Sequence, residues 1–304
     1  MRTLYLTVAA NLVIGGCAQN PVVIATFETG REHSFTVRRS RSDARTPGLE
    51  KMTQRTRVQA TFTPHAEGVK AQWVYGPTDV EGASGLMGQL SKEEVALLNL
   101  YQGVNIDVLL GPGGAYLGLL NYEDLKKQVE EAFMRMYATG LAKSDRDQYN
   151  KIKAQIGMTY RTEELLLGTY FPEVPLYFGL FGDTLDASGD TEEATRCPNP
   201  FGGEEFPATR RTRVTRSDGS RLEVEVTEVP DSVESKRILV NTMRSMSREL
   251  DSPKDFNDVP ELSLNYTTLY AYSPEAKLMR RAQRKKTVTT NGTTMVETLE
   301  VAYE

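Results

Sequence analysis

The stretch from residue 121 to residue 181 constrains the fold of this 304-residue chain more than any other part. Apolar side chains recur at helical spacing from Leu125 to Tyr137, and a second amphipathic pattern runs from Tyr149 to Tyr160. Segments with the alternation of strands lie on both sides of this stretch. The pattern predicts a central helical hairpin over residues 121–168, set against sheet.

The end of this stretch, from Leu165 to Phe181, is unusually rich in apolar and aromatic residues. Pro172 and Pro175 prevent one regular helix through it. A regular helix buries only one stripe of such a run, so the remaining residues need a second surface to contact. They either fill the core, the commoner role for any single residue, or form the wall of a site for an elongated apolar molecule. The candidate wall residues are Tyr170, Phe171, Tyr177 and Phe178.

Turn residues between alternating segments predict several β-hairpins. The turns fall at Pro64–Gly68, Gly111–Gly114, Asp218–Gly219 and Asn291–Gly292. Asp231 and Glu234 predict the start of a third helix. The acidic segment 183–207, rich in Gly and Pro, is expected to be a solvated loop. Antiparallel hairpins with about three helices predict an α+β fold, a curved, half-barrel-like antiparallel sheet covered by the helices.

Composition and motifs argue against several classes of function. A net charge of -5 is unlike that of a nucleic-acid-binding protein. The two histidines, His33 and His65, have no ligand-like spacing, and the two cysteines form no metal cluster. The chain carries no nucleophile elbow, HExxH motif or dinucleotide loop. We therefore expect no catalytic residues, no metal and no cofactor, and a protein that is not an enzyme.

The N-terminus has the order of an export signal. Met1 and Arg2 precede an apolar run from Leu4 to Ile14, and Gly15–Gly16 then lead to Cys17. The last four of these residues resemble a bacterial lipobox, which implies that residues 1–17 are a signal peptide and that Cys17 is the lipidated residue. The alternative is an edge strand with an incidental cysteine. Because Ala18 follows, the resemblance implies an anchor in the outer membrane, facing the periplasm or the surface.

Two blocks resemble segments of a bacterial lipoprotein family of unknown function. They are Tyr101–Gly114, continuing to Asn121–Tyr122, and Tyr270–Glu275. The overall plan is also similar to lipoprotein-carrier half-barrels, and this likeness implies lipid handling. We thus expect residues 18–304 to form one α+β domain of a cell-envelope protein that binds an apolar ligand or lipid in a groove between sheet and helices. The alternative is a structural or partner-binding lipoprotein without a small ligand, and the sequence identifies no protein partner.

Overall fold

The computed structural model describes most of the chain downstream of the predicted signal. The described residues are 20–43, 52–81, 99–141, 146–158, 160–186, 190–197, 199, 204–249 and 262–304. Cys17 and the predicted signal peptide lie outside them. The predictions of lipidation and cleavage therefore remain predictions.

Eleven antiparallel strands form a single sheet in the described part of the chain. Their order is β5-β4-β3-β2-β1-β11-β10-β9-β8-β7-β6, so the first and last strands are neighbours at the centre. The strands are β1 (Glu32–Asp43), β2 (Met52–His65), β3 (Gly68–Glu81), β4 (Asn105–Leu110), β5 (Tyr116–Leu119), β6 (Asp190–Cys197), β7 (Phe206–Ser217), β8 (Leu222–Pro230), β9 (Leu262–Ser273), β10 (Leu278–Thr290) and β11 (Thr293–Tyr303).

The predicted hairpins are confirmed at all four turns. At the β10–β11 turn, Asn291 and Gly292 both have positive φ, 50° and 75°. This is the backbone that a two-residue hairpin turn requires, and it explains the choice of Asn and Gly. The antiparallel sheet and the α+β class predicted from sequence are therefore confirmed.

The described residues contain five α-helices, so the prediction of about three was too low. They are α1 (Tyr122–Leu141), α2 (Arg146–Met158), α3 (Glu163–Tyr170), α4 (Glu173–Phe178) and α5 (Ser232–Glu249). The predicted central hairpin is α1 with α2. The extra helices arise because the chain breaks at Phe171 and Pro172, where Phe171 has φ -131° and ψ 47°. We call residues 163–181, which include both short helices, the α3–α4 segment.

The acidic segment 183–207 is not simply a loop, because β6 lies within it. Asp190 accepts hydrogen bonds from Arg213 and Arg211 on the neighbouring strand β7. These contacts hold the pKa of Asp190 well below its usual range, despite the opposing effect of desolvation. Charge pairing across strands therefore makes an edge strand from a segment whose composition suggests a loop.

The two faces of the sheet differ in character. One face, which we call the inner face, carries alternate apolar side chains of the strands and is covered by the α3–α4 segment, with α5 over β7 and β9. The opposite, outer face is polar, and at its centre Glu300 accepts hydrogen bonds from Arg38, Arg281 and Gln283. The main core therefore lies between the inner face and the α3–α4 segment.

Candidate functional site

The four predicted wall residues are buried against the inner face. Phe171, Tyr177 and Phe178 have no exposed surface, and Tyr170 is 7% exposed. Tyr170 closes α3 and Phe171 caps it, whereas Tyr177 and Phe178 end α4. Because five of the six residues of α4 are buried, it has the character of a core helix rather than a surface one.

Three of the wall residues pack against aromatic side chains of β3. Phe171 lies with its ring centroid 5.4 Å from that of Tyr75 on β3 and 5.1 Å from that of Tyr101. Tyr177 and Phe178 both lie 5.8 Å from Trp73, again measured between ring centroids. The structure thus brings these side chains together as one aromatic cluster that fills the space beneath the segment.

Tyr177 connects strands that are far apart in the sheet. Its ring lies near Trp73 on β3, and its hydroxyl donates a 3.0 Å hydrogen bond to the carbonyl oxygen of Met279 on β10. Three strands, β2, β1 and β11, separate β3 from β10. In a flat sheet this separation would be about 19 Å, four spacings of about 4.8 Å, which is more than one tyrosine spans.

A buried ion pair fastens α4 to the sheet. Arg39 on β1 donates from Nη2 to Oε2 of Glu173 at 2.6 Å and to the carbonyl oxygen of Tyr170 at 3.0 Å. Tyr75 donates its hydroxyl to the other carboxylate oxygen. The side chain of Glu173 has no exposed surface and that of Arg39 is 32% exposed. We call Arg39, Glu173 and Tyr75 the polar lock.

Electrostatics favours the charged state of Arg39. Burial is the largest single influence and opposes the charge on Arg39, but the charge and hydrogen bond of Glu173, together with Tyr75 and Tyr101, outweigh it and raise the pKa of the guanidinium. Burial also raises the pKa of Tyr75 well above its usual value, and the nearby Glu173 carboxylate adds to the shift. Tyr75 therefore keeps its proton and acts as a donor.

The polar lock was missed at the sequence level, although signals for it exist. Glu173 is the sole charged residue between Leu165 and Phe181. Arg39 continues the alternation of Phe35 and Val37, which places a cation on the apolar face of its strand. A charge at a position that the pattern predicts to be buried indicates a partner. The sequence does not reveal which partner, because these two residues are 134 positions apart.

Two surface depressions of the described part lie away from the aromatic cluster. The first is lined by polar residues of β4 and α1, including Asn105, Asp107 and Lys127. The second lies on β6 and β7 beside residues 183–186 and includes Arg210. Neither includes a predicted wall residue. The described residues also contain no group of three or more His, Cys, Asp or Glu side chains placed to hold a metal ion.

Within the described ranges, no helix combines the length and the apolar character needed to cross a membrane.

Comparisons with known protein families and with curated proteins give no match. Among solved structures, a chain titled "Asymmetric conductivity of engineered proteins" shares 10% identity with a TM-score of 0.18, covering 90% of this chain and 99% of that one. A mutant of the Rh. blastica porin shares 9% identity with a TM-score of 0.17 and the same coverage. At these TM-scores the similarity carries no argument about fold or function.

Proposed function

We propose that this protein binds an elongated apolar molecule, such as a lipid acyl chain, between the inner face and the α3–α4 segment, without catalysing a reaction. The observation that carries the proposal is the way in which the α3–α4 segment covers the inner face. Two helices of eight and six residues close the inner face, and a polar lock fastens one of them. Helices this short depend on their contacts with the sheet for stability, so they are suited to exchange with a ligand.

The reach of Tyr177 supports a curved, half-barrel-like sheet. One side chain contacts both β3 and β10, which a flat sheet would hold too far apart. A sheet that curves around α4 forms a trough lined with apolar side chains. Such a trough suits an extended hydrocarbon chain better than it suits a compact polar ligand.

Burial of the four wall side chains and burial of a lipid acyl chain on the inner face contribute free energies of similar size. Full burial of a large apolar side chain stabilises by about 1.5–3 kcal/mol, so the four wall residues contribute about 6–12 kcal/mol. A sixteen-carbon chain buried at about 0.8 kcal/mol per methylene contributes about 13 kcal/mol. A ligand chain that inserts between the rings and the sheet therefore exchanges contacts of similar size, and the displaced rings then pack against it as the wall of its site.

Paired measurements on Phe171→Ala, Tyr177→Ala and Phe178→Ala test the proposal. For each variant, thermal stability and uptake of a fluorescent fatty acid are measured together. We expect the wild type to take up the fatty acid and the variants to lose uptake. Absence of uptake by a folded wild type would overturn the proposal. The exposed Leu269 on the outer face of β9 offers a control, because Leu269→Ala leaves both readouts unchanged.

We further propose that the protein is anchored in the bacterial cell envelope through a lipidated Cys17. The support is the apolar run followed by Gly15, Gly16 and Cys17. Cell fractionation of a Cys17→Ser variant tests it, and we expect the variant to leave the membrane fraction. Retention in the membrane with processing like that of the wild type would contradict the anchor.

The second candidate is a structural or partner-binding envelope lipoprotein without a small ligand. The observation in its favour is the filled interior, where the rings of Tyr177 and Phe178 have no exposed surface. In that case the alanine variants lose about 3–5 kcal/mol of stability, as in other packed cores, and no uptake is seen even in the wild type. The same paired measurements therefore decide between the two candidates.

A further inference from the structure

Four polar side chains lie together on the inner face beyond the end of α4. Arg284 on β10 stands directly opposite Thr268 on β9. Tyr266 and Tyr270 lie two residues before and after Thr268, and so share its face. The four present one guanidinium and three hydroxyl groups on two adjacent strands.

None of these four groups has a hydrogen-bond or carboxylate partner among the residues that the structure describes. The nearby carboxylates lie beside other cations. Glu228 lies 3.9 Å from Arg210, and Glu297 lies 3.4 Å from Lys286. Arg284 is only partly buried, so a ligand can reach it. On this face the neighbouring cations Arg210 and Lys286 each lie beside a carboxylate, whereas Arg284 forms no ion pair among the described residues, so its charge is left for a ligand.

The hydroxyl groups beside Arg284 are donors at neutral pH. Burial raises the pKa of Tyr270 to about 12, against the opposing effect of Arg210 and Arg284. Burial likewise raises the pKa of Tyr266 to about 12. Both phenols therefore keep their protons, and the group as a whole offers donors and one positive charge.

The position of this group relates it to the proposed apolar site. The hydroxyl of Tyr270 lies 3.6 Å from the place that a side chain on Gly179, the cap of α4, would occupy. Tyr266 packs on the other side against the small cluster that contains Ile238 and Leu239 of α5. The four polar side chains thus lie between the α3–α4 segment and α5, at the end of the aromatic cluster.

We propose that Arg284, with the hydroxyls of Tyr266, Thr268 and Tyr270, binds the anionic head group of an amphiphile whose apolar chain lies under the α3–α4 segment. The head group is an oxyanion, a carboxylate or a phosphate. This inference rests on the proposed function and gives the chemical class of its ligand.

The chemistry of the four groups fits an oxyanion. The planar fork of an arginine donates two parallel hydrogen bonds to a carboxylate or phosphate, and hydroxyl donors satisfy the remaining lone pairs. A charged hydrogen bond contributes about 1.5–3 kcal/mol, which corresponds to about a tenfold to hundredfold change in affinity. We expect a preference of that order for an anionic amphiphile over its neutral analogue.

Competition binding on the full chain tests the inference, with Cys17→Ser so that no detergent is needed. Dodecanoate, dodecyl phosphate and dodecanol each compete with a neutral pyrene-labelled hydrocarbon. The variants are Arg284→Gln, Arg284→Lys and Tyr270→Phe. Lys285→Gln is the matched control, because it removes the same charge from the exposed, outer-facing neighbour on β10.

We expect Arg284→Gln to weaken binding of the anionic competitors about tenfold or more and to leave binding of dodecanol unchanged. Tyr270→Phe is expected to have a smaller effect, and Arg284→Lys to retain part of the preference for anions. Lys285→Gln behaves like the wild type. The relative strength of dodecanoate and dodecyl phosphate shows which oxyanion fits.

Equal binding of anionic and neutral competitors by the wild type, or an unchanged preference in Arg284→Gln, overturns the head-group site while leaving the apolar site intact. If the wild type does not bind even the pyrene-labelled hydrocarbon, the proposed function itself fails and this inference fails with it.

Discussion

Two covers close the inner face, and they are built in opposite ways. α5 is an amphipathic helix of 18 residues, capped by Asp231, whose Oδ1 accepts a hydrogen bond from the Glu234 amide at 2.8 Å. It buries Ile238 and Leu239 and exposes its other side. α4 has six residues, and five of them are buried. Its single acidic residue, Glu173, forms an ion pair beneath the surface.

The contrast teaches where stability comes from in each cover. α5 gains from its cap, its length and one apolar stripe, which are local properties of its sequence. α4 has little helical stability of its own and is held by the aromatic cluster and the polar lock. A cover held only by its contacts with the sheet is the one that a ligand can replace. Three predictions test this difference.

The largest expected effect comes from breaking the polar lock. Arg39→Met leaves the buried Glu173 carboxylate with Tyr75 as its remaining donor in the lock. Removing one partner of a buried ion pair typically costs about 3–5 kcal/mol, because the other charge is left uncompensated. We expect the free energy of unfolding in urea to fall by that amount.

Arg38→Met is the matched control for this prediction. Arg38 lies next to Arg39 on the outer face, with a side chain 45% exposed beside Glu300. Glu300 keeps Arg281 and Gln283 as donors when Arg38 is lost, so no charge is left unpaired and we expect a loss of about 1 kcal/mol or less. The double variant Arg39→Met, Glu173→Gln recovers much of the stability, since no buried charge remains unpaired. Equal losses for the two single variants would show that the lock does not hold α4.

The sequence allows one cover to be predicted and not the other. The cap and stripe of α5 are signals between residues a few positions apart, and the helix forms where Asp231 and Glu234 predict it. The break at Pro172 was predictable for the same reason. The polar lock joins β1, β3 and α4, and β6 depends on Arg211 and Arg213 of β7. Such contacts between distant residues follow from the topology of the sheet, which local patterns do not determine.

Each cover lies over a single natural reporter group, and this gives the second prediction. Trp73, the one tryptophan, lies under α4, and Cys197 lies under α5. Burial raises the pKa of the Cys197 thiol from 9.0 to about 12, with Glu228 and Glu205 adding to the shift. At pH 8 this lowers the thiolate fraction by about a thousandfold, and the thiolate is the reactive form.

In a Cys17→Ser background, a brominated fatty acid is therefore expected to quench Trp73 fluorescence while Cys197 stays unreactive towards a thiol reagent. Urea serves as the control, because unfolding exposes both groups together. If the fatty acid makes Cys197 reactive as well, the two covers open together and the distinction between them is wrong.

The smallest expected effects come from the helix caps, which differ in what they report. The Thr162 hydroxyl accepts a hydrogen bond from the Leu165 amide at 3.3 Å at the start of α3, and Asp231 has the same role in α5. Removing such a cap costs about 1 kcal/mol, which makes local opening of that helix about fivefold more frequent.

Thr162→Ala is therefore expected to increase the apparent affinity for a fatty acid about fivefold and to leave labelling of Cys197 unchanged, because the ligand binds once α3–α4 has opened. Asp231→Ala is expected to do the reverse, with faster labelling of Cys197 and unchanged affinity. Each variant is the control for the other, since both lose one exposed cap. A fivefold rise in Cys197 labelling in Thr162→Ala would mean that opening spreads across the whole inner face, and the α3–α4 segment would then not be an independent cover.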